Sequence, residues 1–238
     1  MPVLAVIGCV VTLLVYTQPA ESHSWIDALW CSPGTLGYPR NYRNRTDLPP
    51  KSPDFDRLMT YRIENYKGVQ ALCSPTQSTP VQAEKYPRLT CSPNATVHFR
   101  YNSNGHVTHD KCLPKDPRGC DGQYPVTSTW YILWNRTPSY ALHRFNLPKV
   151  WNASHSTVRG AVTVVGKGPF DDGLCGQVGS KRPREGKPCE GSFQLPAVDK
   201  PQRISLVWFW AFNRIYDVGE EYTTCFDVDV EVEAVESG

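Results

Sequence analysis

The sequence predicts an all-β fold, an antiparallel sandwich of the immunoglobulin or fibronectin-III type with long loops and disulfides. Three observations carry that prediction. No long run shows the apolar spacing of a helix; proline and glycine, 21 and 17 of the 238 residues, are scattered along the whole chain; and several short β-branched or aromatic runs stand between long irregular stretches.

In chain order, Met1 to Tyr16 is almost wholly apolar, short for a membrane span but suited to the hydrophobic region of a secretory signal. Ala20-Glu21-Ser22 places small residues at the −3 and −1 positions, so residues 1–22 read as a signal peptide cut after Ser22; a membrane anchor is the competing reading. The remaining 216 residues (238 minus 22), 23–238, read as one domain. Ser24 to Gly68 reads as loops, with turn signals at Ser32-Pro33-Gly34 and Tyr38-Pro39. Ala95 to Tyr101 alternates, with Val97 and Phe99 opposed to His98 and Arg100, and Thr129 to Trp134 and Thr157 to Val165 read as strands. Ile204 to Phe212 is apolar on both faces from Leu206 onward, as a central buried strand would be. Thr223 to Val232 sets Phe226, Val228, Val230 and Val232 against Asp227, Asp229 and Glu231.

Loss of Glu21 with the signal would raise the formal charge from +2 to about +3, too mild to mark nucleic acid or an anionic membrane as partner. The basic run Lys181-Arg182-Pro183-Arg184 sits in a Gly/Pro-rich stretch and reads as solvated. Nine cysteines less Cys9 leave eight, Cys31, Cys73, Cys91, Cys112, Cys120, Cys175, Cys189 and Cys225, hence up to four disulfides in an exported chain. No CxxC pair favours zinc, and about 105 connectivities remain open, with Cys112–Cys120 and Cys175–Cys189 the natural local pairs. Four sequons, at Asn44, Asn94, Asn135 and Asn152, point to a glycosylated surface.

His23 is the informative residue. Freed at the N-terminus, one histidine offers two nitrogens, its α-amine and its Nδ1, in a six-membered chelate ring. The α-amine pKa of about 8 lets a metal displace its proton near neutrality. With a third nitrogen from a second histidine, the planar set favours copper on both affinity order and tetragonal preference.

The His-Ser-Trp start at His23, a central Gly-His-Val-Thr at Gly105 to Thr108 and a late Glu-Tyr-Thr-Thr-Cys at Glu221 to Cys225 resemble the lytic polysaccharide monooxygenase superfamily of copper histidine-brace proteins, in a poorly characterised fungal-type branch. The resemblance spans most of the chain after residue 22, through the order and placement of short motifs. It implies a secreted, extracellular monomer holding one copper ion and oxidatively cleaving the glycosidic bonds of a structural, cell-wall type polysaccharide, with an external electron donor and O₂ or H₂O₂. Carried over residue by residue, His23 and His106 match the two brace histidines and Tyr222 the axial aromatic; these three are the catalytic, cofactor-binding and metal residues that the resemblance implies. His109 is the competitor of His106, whereas His98, His143 and His155 match no motif. Tyr222 shares parity with Phe226 and Val228, so it should point inward. The family also carries an outer-shell Gln or Glu, commonly on the strand before the axial tyrosine; Ser205 to Phe212 has none.

Trp25, Trp30 and Tyr38 lie near the N-terminus; Trp25 and Tyr38 are candidates for stacking on sugar rings, Trp30 for core packing. A glycosidase would need two carboxylates, for which Asp171-Asp172 or Glu220-Glu221 could be proposed, but neighbours on a strand face opposite ways and loop acids are usually solvated. No Gly-x-Ser-x-Gly, HExxH, P-loop or dinucleotide pattern occurs. A copper-handling surface protein without catalysis is the alternative from another class, and a non-metal adhesion protein the third.

Overall fold

The computed structural model describes residues 24–31, 35–49, 58–64, 69–102, 129–138, 141–147, 157–158, 162–176, 178–215 and 218–232. These residues form twelve strands: β1 (Ile26–Cys31), β2 (Thr35–Gly37), β3 (Leu89–Cys91), β4 (Thr96–Tyr101), β5 (Thr129–Asn135), β6 (Thr157–Val158), β7 (Val162–Pro169), β8 (Cys175–Gly176), β9 (Arg184–Glu185), β10 (Cys189–Gln194), β11 (Gln202–Ile215) and β12 (Val218–Val230). A four-stranded sheet, β10-β4-β1-β2, faces a six-stranded sheet, β3-β12-β11-β5-β7-β6. The pairings in both are antiparallel except β12 with β3. The fold is the β-sandwich that the sequence predicts. No helix among the described residues is long and apolar enough to cross a membrane.

Alternation builds the layer between the sheets. Val97, Phe99 and Tyr101 of β4 are fully buried, while His98 and Arg100 stand half-buried on the other face. Across from them Trp130, Ile132, Leu206, Trp208, Trp210, Tyr222, Phe226 and Val228 complete one cluster with Ile26, Leu29 and Phe193. The sheets approach so closely that a Cβ on Gly166 would sit 2.4 Å from the Cβ of Phe193, and one on Gly37 2.3 Å from that of Leu89. Both glycines are there because nothing larger fits.

β11 is buried on each side, as its unbroken apolar run predicts: Leu206 to Trp210 are all buried. A second cluster covers the outer face of the six-stranded sheet, where Val207, Phe209, Tyr131 and Leu133 meet Ile63, Leu72, Leu142 and Leu147. The polar face of β12 lies under that cover. Arg144 grips Glu221 at 2.5 and 2.9 Å, the Thr223 hydroxyl donates to Leu72 O at 2.5 Å, Gln77 Oε1 accepts the Cys225 N–H at 2.9 Å, and Arg40 holds Asp227 at 2.8 and 2.6 Å. Buried charges persist only when paired and hydrogen-bonded, so this row both requires and fixes the covering segments.

Three expectations need correction. Ser24 to Gly68 is not loop throughout, since β1 and β2 lie within it. Asp27 and a register irregularity between Ile26 and Ala28 hide the alternation of β1, whose partner β4 supplies the ladder. Thr157 to Val165 is a hairpin instead of one strand, Val158 pairing with Val162. β3 and β10 were not expected; in β10 only Cys189 and Phe193 are large inward residues, and Gly191 between them lies over the Phe99 ring.

Three disulfides join the described residues: Cys31–Cys91, Cys73–Cys225 and Cys175–Cys189. The last is one of the two expected local pairs; Cys112 and Cys120 lie outside the described residues.

Candidate metal centre

Three stretches far apart in sequence meet at one end of the sandwich. Ile26 opens β1 opposite Tyr101, the last residue of β4, and its N–H donates to Thr224 Oγ1 on β12 at 3.2 Å. One residue back, Trp25 O accepts the Asn102 N–H at 3.2 Å, and the Ser24 hydroxyl, fully buried, donates to Asn102 O at 2.8 Å. The chain is therefore held from Ser24 onward against the point where β4 ends. His23 is the next residue back. His106 follows Asn102 by four residues, a span of about 14 Å at most for extended chain. The side chains of His23, His106 and the competitor His109 lie outside the described residues.

Tyr222 is described. It is fully buried, faces inward with Phe226 and Val228 as parity predicts, and pairs with Trp210 on β11. The two rings stack at 5.2 Å and 25°, and Trp210 stacks in turn on Phe170 at 3.8 Å. Rigid aromatic packing of this kind fixes a phenol in direction as well as depth. Tyr222 lies two residues before Thr224, the residue that receives the Ile26 N–H. Ser24, Trp25, Ile26 and Asn102 are thus anchored beside a buried tyrosine.

The aromatic candidates turn out differently. Trp25 is 2% exposed, so its ring is not offered to a sugar. It packs with Tyr42, Met59 and Tyr86, and its indole N–H donates to Asp27 Oδ1 at 3.0 Å. Tyr38 is half-buried against Tyr42 and Tyr86. Trp30, assigned to the core, is half-buried on the outer face of the four-stranded sheet, stacked on His98 at 5.6 Å with the Arg100 guanidinium over it at 5.2 Å. Sequence position cannot tell these cases apart, because the covering partners are distant in the chain.

The carboxylates proposed for a glycosidase are structural where they are described. Asp171 is held by Arg182 at 2.5 and 2.8 Å, Asp172 accepts the N–H groups of Leu174 and Cys175, and Glu221 is buried with Arg144. Arg182 and Arg184 are likewise paired, Arg184 with Glu190 at 2.8 Å, so the basic run is only partly free in solvent. Among the described residues, the one grouping close enough to hold a metal is Asp172, Cys175 and Cys189, and its two sulfurs are bonded to each other. Of the sequons, Asn94 is exposed, Asn44 half-buried and Asn135 only 8% exposed, which leaves the last poorly placed for a glycan; Asn152 lies outside the described residues. A cavity of about 60 Å³ on the outer face of the six-stranded sheet, lined by Arg40, Asn135, Ser205 and Leu206, is separate from the Ser24–Asn102 anchor.

Beside the N-terminal stretch, Asp47 closes the tyrosine cluster. Hydrogen bonds from the Lys85 ammonium, the Tyr86 phenol and the Asn44 N–H bring its carboxyl down to about 2. The stabilisation is fully present above the unfolded carboxylate value of about 3.9 and disappears as pH falls through the folded value. Carbon-13 titration of the Asp47 carboxyl is expected to give a midpoint near the lower figure, and Tyr86→Phe is expected to move it upward. A midpoint at the ordinary carboxylate value would contradict the lock.

A family model described as "Domain of unknown function (DUF7492)" matches residues 20–237. No curated protein matches the chain. Among solved structures, the chain is similar to CvAA9A (15% identity, TM-score 0.45, covering 89% of this chain and 80% of that one). It is similar to the extended catalytic domain of LPMO9A from H. jecorina (12%, TM-score 0.43, 91% and 77%). It is also similar to an AA10 lytic polysaccharide monooxygenase from Streptomyces lividans (14%, TM-score 0.34, 70% and 78%). At these scores the alignments carry no argument about chemistry, which rests on the residues themselves. By the family model, which takes in nearly the whole chain, this protein belongs to the DUF7492 family.

Proposed function

We propose that residues 23–238 form a secreted, copper-binding domain that oxidatively cleaves glycosidic bonds of a structural polysaccharide. The observation that supports it best is the joint anchoring of Ser24 and Trp25 to Asn102 and of Ile26 to Thr224, next to buried Tyr222. After cleavage behind Ser22, the α-amine and Nδ1 of His23 and one nitrogen of His106 would hold a single copper ion, with the Tyr222 phenol as the third protein side chain of the site. Copper supplies one-electron redox chemistry toward O₂ or H₂O₂ with an external donor.

The chain's own residues do the rest. Ser24 and Asn102 fix the direction in which the N-terminus leaves the sheet, and Trp210 holds the Tyr222 ring against rotation. Preorganisation of this sort spares the site the cost of ordering its ligands when metal and substrate arrive. Ser205 to Phe212 of β11 supplies no outer-shell Gln or Glu.

The second reading, a copper handler without polysaccharide oxidation, is favoured by the burial of Trp25, which removes the nearest stacking platform. Both readings require the His23 chelate. Intact mass of the secreted protein is expected to show a chain starting at His23, and copper(II) titration a tetragonal three-nitrogen electron paramagnetic resonance signal. His23→Ala, or one alanine added ahead of His23, is expected to abolish that signal while leaving the melting temperature of the metal-free protein unchanged. An unaltered signal in either variant would refute the site. Reductant-dependent oxidised oligosaccharides from a polymer panel establish the enzyme; tight copper binding with no such products establishes the handler.

A further inference from the structure

The outer face of the four-stranded sheet takes no part in the metal reading, and it carries a cation with no counter-charge. Register sets Leu36, Trp30, His98 and Ser192 in one row across β2, β1, β4 and β10. Ala28, Arg100 and Glu190 form the next row, and Thr96 and Gln194 the row on the other side. Leu36, Thr96 and Ser192 are exposed, whereas Trp30, His98 and Arg100 are half-buried. The contact of the Arg100 guanidinium with the Trp30 ring, at 5.2 Å, fixes the cation in place but satisfies none of its five N–H groups. Among the described residues no group accepts from it, and its Nε is buried without a partner. Glu190, its neighbour across the strands, is the natural counter-charge, yet that carboxylate is taken by Arg184 at 2.8 Å. Arg40 and Arg144, by contrast, are each locked to a buried carboxylate.

We propose that this face is a docking site for an acidic polysaccharide, a chain of uronate residues, held at Arg100, Trp30 and His98. A guanidinium and a carboxylate are both planar and match as two parallel hydrogen bonds, so one uronate carboxylate supplies the missing counter-charge. The indole N–H of Trp30 and the imidazole of His98 stand beside it as donors for ring and hydroxyl oxygens. Leu36 and the Trp30 ring give the C–H face of a sugar an apolar surface to lie on. The exposed hydroxyls of Ser192 and Thr96 serve the neighbouring units. A neutral sugar chain would leave the guanidinium uncompensated. An acidic peptide would satisfy the charge but brings no rigid C–H face to the indole. The site requires neither His23 nor copper, so it stands apart from the metal reading, and it would hold the secreted domain on a uronate-rich matrix.

The test uses the metal-free secreted protein with polygalacturonate, by affinity electrophoresis, and with short galacturonate oligomers, by calorimetry. The wild type is expected to be retarded by the polymer, less so as salt rises. The methyl-esterified polymer, which keeps the sugar and loses the charge, is expected to retard it far less. Arg100→Gln and Trp30→Leu are each expected to weaken oligomer binding at least about tenfold with the melting temperature unchanged. Arg100→Lys, which keeps the charge and loses the planar fork, is expected to fall between them and the wild type. Should a variant fail to fold, the unaltered protein still gives a reading: the His98 imidazole resonances are expected to shift with galacturonate oligomers and not with cello-oligosaccharides. His23→Ala is expected to bind the polymer as the wild type does, so loss of the copper signal and loss of this site are told apart. No retardation, equal retardation by the esterified polymer, equal binding of polyglutamate, or wild-type affinity in Arg100→Gln would each overturn the assignment.

Discussion

Arg144→Met is expected to lower the unfolding free energy by about 3–5 kcal/mol, read from urea unfolding, because it removes the guanidinium that pairs with a fully buried carboxylate. Glu221 is 0% exposed and Arg144 1%, and the guanidinium makes two bonds to the carboxylate, 2.5 and 2.9 Å, with a third to Leu147 O at 3.3 Å. Removing only the cation takes two charge-assisted hydrogen bonds from a carboxylate that is fully buried. The double variant Arg144→Met with Glu221→Leu is expected to recover most of the loss, since apolar replacement of a buried pair is often neutral or stabilising. A single variant as stable as the wild type would mean that Glu221 reaches water or another cation once Arg144 is gone. A double variant no better than the single one would mean that the pair positions the 141–147 segment in a way that apolar contact cannot replace.

That pair also shows where the sequence is legible and where it is not. The alternation of β12 separates Phe226 and Val228 from Asp227 and Asp229, and it places Tyr222 inward, as found. Alternation assigns faces, however, and is silent on whether a polar face is later covered. Asp227 and Glu221 are as deeply buried as the valines, because Arg40 and Arg144 arrive from segments 187 and 77 residues away. The same blindness explains Trp25. Its neighbour in sequence is the candidate metal ligand, but its neighbours in space are Tyr42, Met59 and Tyr86, so a ring expected at the surface is enclosed. β1 was hidden for a different reason: Asp27 faces the Trp25 and Tyr42 donors, and that polar demand breaks the apolar rhythm on which strand recognition depends. His23 is singled out by chain chemistry alone, because a cleavage site beside an imidazole is a local signal, and it lies outside the described residues. The hydrogen bond of Ser24 to Asn102 is not local, and only the fold brings these two residues together.

The disulfides give the second large effect, with an internal control built into their spacing. The loops they close differ widely, with sequence separations of 152 for Cys73–Cys225, 60 for Cys31–Cys91 and 14 for Cys175–Cys189. Loop-closure entropy removed from the unfolded chain scales with the logarithm of that length, giving about 5, about 4 and about 3 kcal/mol in the same order. Paired Cys→Ala variants are therefore expected to lose stability in that sequence. The largest loss falls where the covering segment is tied to β12, beside Gln77 Oε1 on the Cys225 N–H and Arg40 on Asp227. Removing Cys73–Cys225 should also raise hydrogen exchange at the Leu72 and Ile63 amides, which bond to Leu142 O and Glu221 O, while leaving the β4 ladder protected. An equal loss for all three pairs would show that contacts in the folded protein, and not chain closure, set their worth. A reversed order would place the main restraint in the segment that Cys175–Cys189 closes, and the outer cover would then be held by the Arg144 and Arg40 ion pairs, the Thr223 and Gln77 hydrogen bonds and the apolar cluster.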